Sequence, residues 1–371
     1  MRIFTKLLSL SILLWVTLFL SQGCKDPIDI DQRVDQFDRT EMLTDWADLI
    51  IIPSYVAYVQ SLNALVEANS EFTATPNNTN LFSLRDAYIN CYKAWQSVSM
   101  FEIGKAEELQ LLNFTNIYPT NEGAIHSNID SGTANLELPS NFDAQGLPAI
   151  DYLLYGLSSN DSDLINLLSD DAGTYLTQLI VRLQILGHSV LTDWQDGYRE
   201  TFIQNTGSSA TASVDKIVND YLFYYERFLR AGKVGLPAGV FTGSALPRLV
   251  EAPYSKIYSK DLLILGFEAS RNFFNGISYN GQNQGISLVN YLDYIYDNNT
   301  TGDVSSLVNA QWPVIEDAIN LLSDDLYGQI ETDNAKMLSV YDELQKNVIT
   351  LKVDMMQALN IQVDFVDADG D

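Results

Sequence analysis

Few residues in this chain are of the types that do chemistry. It holds two His and two Cys among 371 residues. His126 stands four residues after Glu122 and four before Asp130. On a helix that spacing puts all three on one face, where they could share a divalent metal. Gly123 weakens a helix at that point. His188, between Gly187 and Ser189 in a long helical pattern, reads as a structural or exposed side chain. Ser213 and Lys216 have Ser-x-x-Lys spacing but follow a Ser-rich stretch, where Ser213 is expected to cap a helix. Asp367, Asp369 and Asp371 begin like a calcium loop, but the chain ends before the Glu that closes one, so an acidic tail is expected. His-Glu-x-x-His, Walker and Gly-x-Ser-x-Gly patterns are absent.

Helical periodicity dominates the elements that must position these groups. Leu43, Trp46, Ala47, Ile50 and Ile51 form an apolar stripe within 34–69, with Pro53 expected to kink or restart the helix. The pattern resumes over 80–103 and stops at Gly104. Residues 113–140 lack periodicity and read as a long ordered loop. Helices are predicted at 146–155, 161–205, from Ser213 to about Lys233, and at 257–275, 285–297, 303–327 and 332–359. A second long loop is predicted over 234–255, and Thr206 to Thr211 is the linker candidate. No stretch alternates with period two. The expected fold is all-α: two four-helix-bundle-like domains, 40–206 and 207–371, with two long ordered loops.

The N-terminus reads differently. Arg2 and Lys6 precede an apolar run of 14 residues, Leu7 to Leu20, too short for a membrane span. The run ends at Ser21-Gln22-Gly23-Cys24, which is similar to a bacterial lipobox, with Ser21 where Leu is usual. Residues 1–23 are thus expected to be a signal peptide, Cys24 the acylated residue that holds the protein at a membrane, and 24–39 a tether. Lys25 and Asp26 after Cys24 favour the outer membrane. Cys91 would then be the remaining thiol, a small buried hydrophobe. With 48 acidic against 21 basic residues, the formal charge is −27, and loss of the signal deepens it to −29. Such acidity excludes a nucleic-acid partner, which needs a basic footprint.

Several segments together resemble the imelysin-like family, bacterial envelope proteins grouped as peptidase family M75. They are Leu84 to Tyr88 through Trp95 and Phe101 to Gly104; the Tyr118-Pro119 loop leading through Leu138 to Phe142 and then Gly146 to Gly156; Gly232 to Pro237; Val250 to Ser255; and the ending from Asp354 to Asp371. The resemblance implies two helical bundles with the functional site in the cleft between them. It also implies an envelope location and, for several members, a link to iron or haem uptake. The family hallmark is Gly-x-His-x-x-Glu, which sets His and Glu on one helical face. Here Gly146 is kept, Pro148 takes the His position, and Asp151 takes the Glu position. Proline has no ligand atom and suits the first turn of a helix.

Carried onto this sequence, the resemblance makes Gly146, Asp151, Glu122, Tyr118 and Glu251 the candidate ligand-binding residues. Asp151 is the one catalytic candidate, and Asp151 and His126 are the metal candidates, with a divalent metal as the cofactor they would call for. A helix-start carboxylate favouring the dipole is the structural alternative for Asp151. The expected function is a non-enzymatic envelope lipoprotein that binds a ligand between its domains, linked to iron or haem uptake and partnered with uptake proteins. The alternatives are a metallopeptidase with a rearranged site and a structural subunit of an outer-membrane uptake complex.

Overall fold

In the computed structural model, residues 35–298 and 302–365 are described. The expected signal, Cys24, most of the tether and the Asp367–Asp371 tail lie outside them. Asp38–Asp371 pack as one compact unit. That unit is all-α. Among the described residues, a single antiparallel bridge, Ile277 to Gln284, is the one extended pairing.

The first bundle is built on α1, Arg39–Ala74. Its residues Tyr55, Tyr58, Leu62 and Leu65 are fully buried at helical spacing. Helix α1 packs against α2, Asn78–Trp95, and later against the long α6, Asp171–Asp193. Between α2 and α6 come α3, Glu122–Ser131; α4, Gly146–Asp151, continued by a wider turn over Tyr152–Gly156; and α5, Asp161–Leu168. The second bundle comprises α7, Ser213–Phe223, prolonged through Tyr224–Gly235; α8, Ser259–Asn275; α9, Leu288–Asn298; α10, Val304–Asn320; and α11, Leu326–Ile349, prolonged to Leu359. Phe273 of α8 joins the two cores. Its ring lies 4.8 Å from Trp46, 5.6 Å from Phe101 and 5.3 Å from Tyr221.

Within α1 the α-helical pattern restarts at Ile52, with Pro53 in its first turn, as expected. A π turn over Trp46–Ile51 precedes it, and the helix runs on to Ala74. Pro53 brings no N–H to the ladder, so the Leu49 carbonyl four residues earlier is left without its usual donor. Tyr279 N–H from the second bundle donates to that carbonyl at 2.8 Å. Asp45, one turn earlier, accepts from Ile286 N–H at 2.7 Å. Helix α1 therefore holds the bridge-containing loop of the other bundle at two points.

Other expectations are corrected. The stretch 113–140 is not one loop: it contains α3, whose first turn is capped by Asn121 and whose end is closed by Gly132. The predicted helix over 161–205 is broken at Ser169 and Asp170, and a π turn over Trp194–Tyr198 precedes a last piece, Arg199–Gln204. The stretch 234–255 keeps a helical turn through Ala238. Ser213 caps nothing, because Ala212 holds the cap position and no side chain bonds there. Helix α10 ends at Asn320, and α11 starts at Leu326 because Asp325 caps it. Cys91 is buried as expected, and burial pushes its thiol up to about 12.

Pro53→Ala supplies an N–H that competes with Tyr279 for the Leu49 carbonyl. Faster amide exchange is expected at Tyr279 and its neighbours in hydrogen-exchange mass spectrometry. Unchanged protection there would show that the loop is held by other contacts.

Candidate functional site

The site is built around two short stretches that follow each other in the chain: the end of α7 and the loop after it. Lys233 sits on the wider helical turn over Tyr224–Gly235 and is 3% exposed. Such turns often mark functional positions. Gly232 beside it leaves room for Tyr118, whose hydroxyl would lie 3.2 Å from any added Cβ. Lys233 Nζ donates to Glu251, which is 2% exposed, and to Gln96 Oε1 at 2.8 Å. Glu251 Oε1 also accepts from Asn116 Nδ2 at 2.7 Å and Gln96 Nε2 at 3.2 Å. Tyr92 donates its hydroxyl proton to Asn116 Oδ1 at 2.7 Å. Gln96 and Asn116 belong to the first bundle and Lys233 to the second. Burial pulls the Lys233 ammonium below its ordinary range, and Glu251 opposes that shift. A charge pair removed from water persists only when its remaining donors and acceptors are also satisfied, as here.

Asp151 lies at the end of α4 and has no exposed surface. Its Oδ2 accepts from the Tyr254 N–H at 3.0 Å and its Oδ1 from the Ser255 N–H at 3.2 Å. It holds the far end of the loop that carries Glu251. Burial raises its carboxyl to about 6, and the hydrogen bonds from Ser255 and Tyr254 oppose the rise. Gly146 opens the same helix with φ +76, and an added Cβ would fall 2.3 Å from the Thr115 carbonyl oxygen. Glycine is needed there for backbone conformation and for close approach.

Tyr254 ties the outer part together. Its hydroxyl donates to Glu122 Oε1 at 2.6 Å, and its ring lies 5.1 Å from Tyr152. The Tyr152 hydroxyl pairs with His126 Nε2 at 2.8 Å. Beside Tyr254 opens a cavity of about 240 Å³, lined by Pro119, Thr120, Glu122, Arg248, Pro253, Tyr254, Lys256 and Tyr327. Lys256 Nζ lies 5.0 Å from the centre of the Tyr327 ring. Arg248 makes no ion pair among the described residues.

The sequence candidates therefore fall in one neighbourhood with different roles. Glu122 lines the cavity, Tyr118 packs on Gly232, Glu251 is neutralised by Lys233, and Asp151 and Gly146 shape the backbone. They do not form the metal set considered from the sequence. Among the described residues no group of three or more His, Cys, Asp or Glu is placed to hold a metal ion. The physical reason is that the donors are engaged elsewhere: Asp151 by two backbone N–H groups, Glu122 and His126 by tyrosines, Glu251 by lysine. Although α3 is helical, Glu122, His126 and Asp130 do not converge. Lys233, Gln96, Asn116, Arg248 and Lys256 were missed. The signal for Lys233 was a lysine set in a run of small and apolar residues, Gly232 to Leu236, where a charge needs a buried partner.

The imelysin model, peptidase family M75, matches residues 51–350, and the chain belongs to that family. Two solved structures share the fold. One, described as an iron-regulated protein A precursor from Parabacteroides distasonis, has a TM-score of 0.69 at 17% identity, covering 90% of this chain and 96% of its own. The other, an imelysin-like protein from Psychrobacter arcticum, has a TM-score of 0.67 at 18% identity, covering 88% and 97%. Comparison with curated proteins gives no match.

Two outcomes are expected. Glu251→Ala leaves the Lys233 charge buried and unpaired, and should cost roughly 3–5 kcal/mol in denaturant unfolding. A loss below about 1 kcal/mol, the range of exposed pairs, would mean that the pair is not desolvated. The fold favours the neutral form of Asp151. Its contribution to stability is full below the ordinary carboxylate range and is lost as pH rises through about 6. The thermal-stability advantage of the native chain over Asp151→Asn should therefore shrink between pH 5 and 7.5. An advantage that grows over that range would reverse the sign.

Proposed function

We propose that this protein is a non-enzymatic, ligand-binding accessory protein of a bacterial cell envelope. It serves iron acquisition and is held at the outer membrane through an acylated Cys24. The ligand is taken at the mouth between the two bundles. The lipobox-like end of the apolar run supports the anchor, and family membership together with a neighbour described as iron-regulated supports the link to iron.

The observation that carries the reading is the division of labour around Tyr254. The carboxylate that the resemblance places at the reactive position, Asp151, is buried and fully used in holding the loop. The position assigned to His is Pro148. The accessible groups are instead Arg248, Lys256, Tyr254, Tyr327 and Glu122 around a cavity of about 240 Å³. Two cations and two tyrosines suit a small anionic ligand, held by charge-assisted hydrogen bonds. The volume lies below the ~300–1,000 Å³ of most small-molecule sites, so a compact ligand fits better than an enclosed macrocycle. Iron offered as a small anionic chelate meets both conditions.

Isothermal titration of the purified chain with ferric citrate, and with citrate alone, tests this. Saturable binding is expected, weakened at least about tenfold in Arg248→Gln/Lys256→Gln through loss of the paired charges. Absence of binding by folded protein would overturn the reading. So would hydrolysis of a peptide substrate that is abolished by Asp151→Ala.

A further inference from the structure

A second, larger cavity of about 460 Å³ lies between the bundles and shares no residue with the mouth around Tyr254. Its apolar floor is Ile50, Met100 and Phe101. Its space comes from Ala94 of α2 and Ala269 of α8, small residues on two helices that pack on each other. One wall is Tyr279, brought there by the hydrogen bond between its N–H and the Leu49 carbonyl. The volume is within the ~300–1,000 Å³ range of small-molecule sites.

The charges around it are unequal. Lys93 lines the cavity but is held by Asp261 at 2.7 Å and lies 5.6 Å from the centre of the Tyr258 ring. Glu268 also lines it, is half-buried, and makes no ion pair or hydrogen bond among the described residues. The Tyr279 hydroxyl and the Asn272 amide likewise have no side-chain partner among the described residues. An apolar floor, one uncompensated carboxylate and a tyrosine ring form the complement of a small organic cation with an apolar body. Burial of the body supplies binding energy, and the ammonium is met by Glu268 and the tyrosine face.

We propose that this cavity between α2 and α8 is a binding site for a small primary amine with an aromatic or aliphatic body, with Glu268 as its counter-ion. The test is titration of the full chain with phenethylamine, 2-phenylethanol and 3-phenylpropionate as cationic, neutral and anionic probes of one shape. Saturable binding of the amine is expected, at least tenfold tighter than of the other two. Glu268→Gln should erase that preference, and Ala269→Phe, which fills the space, should abolish binding while circular dichroism shows an intact helical fold. Because Glu268→Gln is isosteric and half-exposed, it keeps the test valid should Ala269→Phe fail to fold. No saturation by the amine, equal binding of the anion, or an amine affinity unchanged in Glu268→Gln would each overturn the proposal.

Discussion

Burying a lysine against a glutamate where two helical bundles meet constrains everything around it. Desolvation of the two charges is tolerable only if every remaining donor and acceptor finds a partner. Gln96 and Asn116 provide those partners from the first bundle, and Tyr92 fixes the orientation of Asn116. The second bundle provides Lys233, on a turn wide enough to aim it inward. The loop carrying Glu251 must then end in a fixed place, and the Asp151 carboxylate fixes it through two backbone N–H groups. The two halves are thereby registered by polar geometry, whereas the aromatic contacts around Phe273 supply adhesion with less directional demand.

At the two positions that the family's hallmark marks, this chain carries Pro148 and Asp151. The Asp151 carboxyl has no exposed surface, and both of its oxygens accept from backbone amides. Proline at the neighbouring position starts a helix and offers no lone pair. What remains accessible is the rim, whose side chains are long, charged or phenolic.

Much of the fold was legible in the sequence. Helical periodicity in 34–69, 80–103 and the last third marked helices that are present, although the second ends at Trp95 and not at Gly104, because a helix buries one face and the stripe records it. Pro53 was read as a kink or restart because a proline removes a hydrogen bond; the α-helix does restart there after a π turn, and the Tyr279 amide takes the freed carbonyl. Helix α3 was read as loop because its ends carry turn residues and only Ile125 is buried within it. The site was legible in part. Segments of the resemblance carried Asp151, Glu251, Tyr118 and Glu122 into one region, but roles could not follow from order along the chain. Whether Asp151 meets a metal or a backbone amide depends on where residues 254 and 255 fold, a separation of about a hundred positions.

Tyr254 is fastened at both ends, by its amide to Asp151 and by its hydroxyl to Glu122. Its ring thus acts as a strut of fixed length between two carboxylates on different helices. A swing of the Tyr254 side chain would break its bond to Glu122 and leave the amide bond to Asp151 in place. The loop is bracketed by Ala252 at φ 56 and Lys256 at φ 54, non-glycine residues in the left-handed region. Two such residues in five positions persist only because the bonds to Asp151 and Glu122 between them hold the loop in this shape.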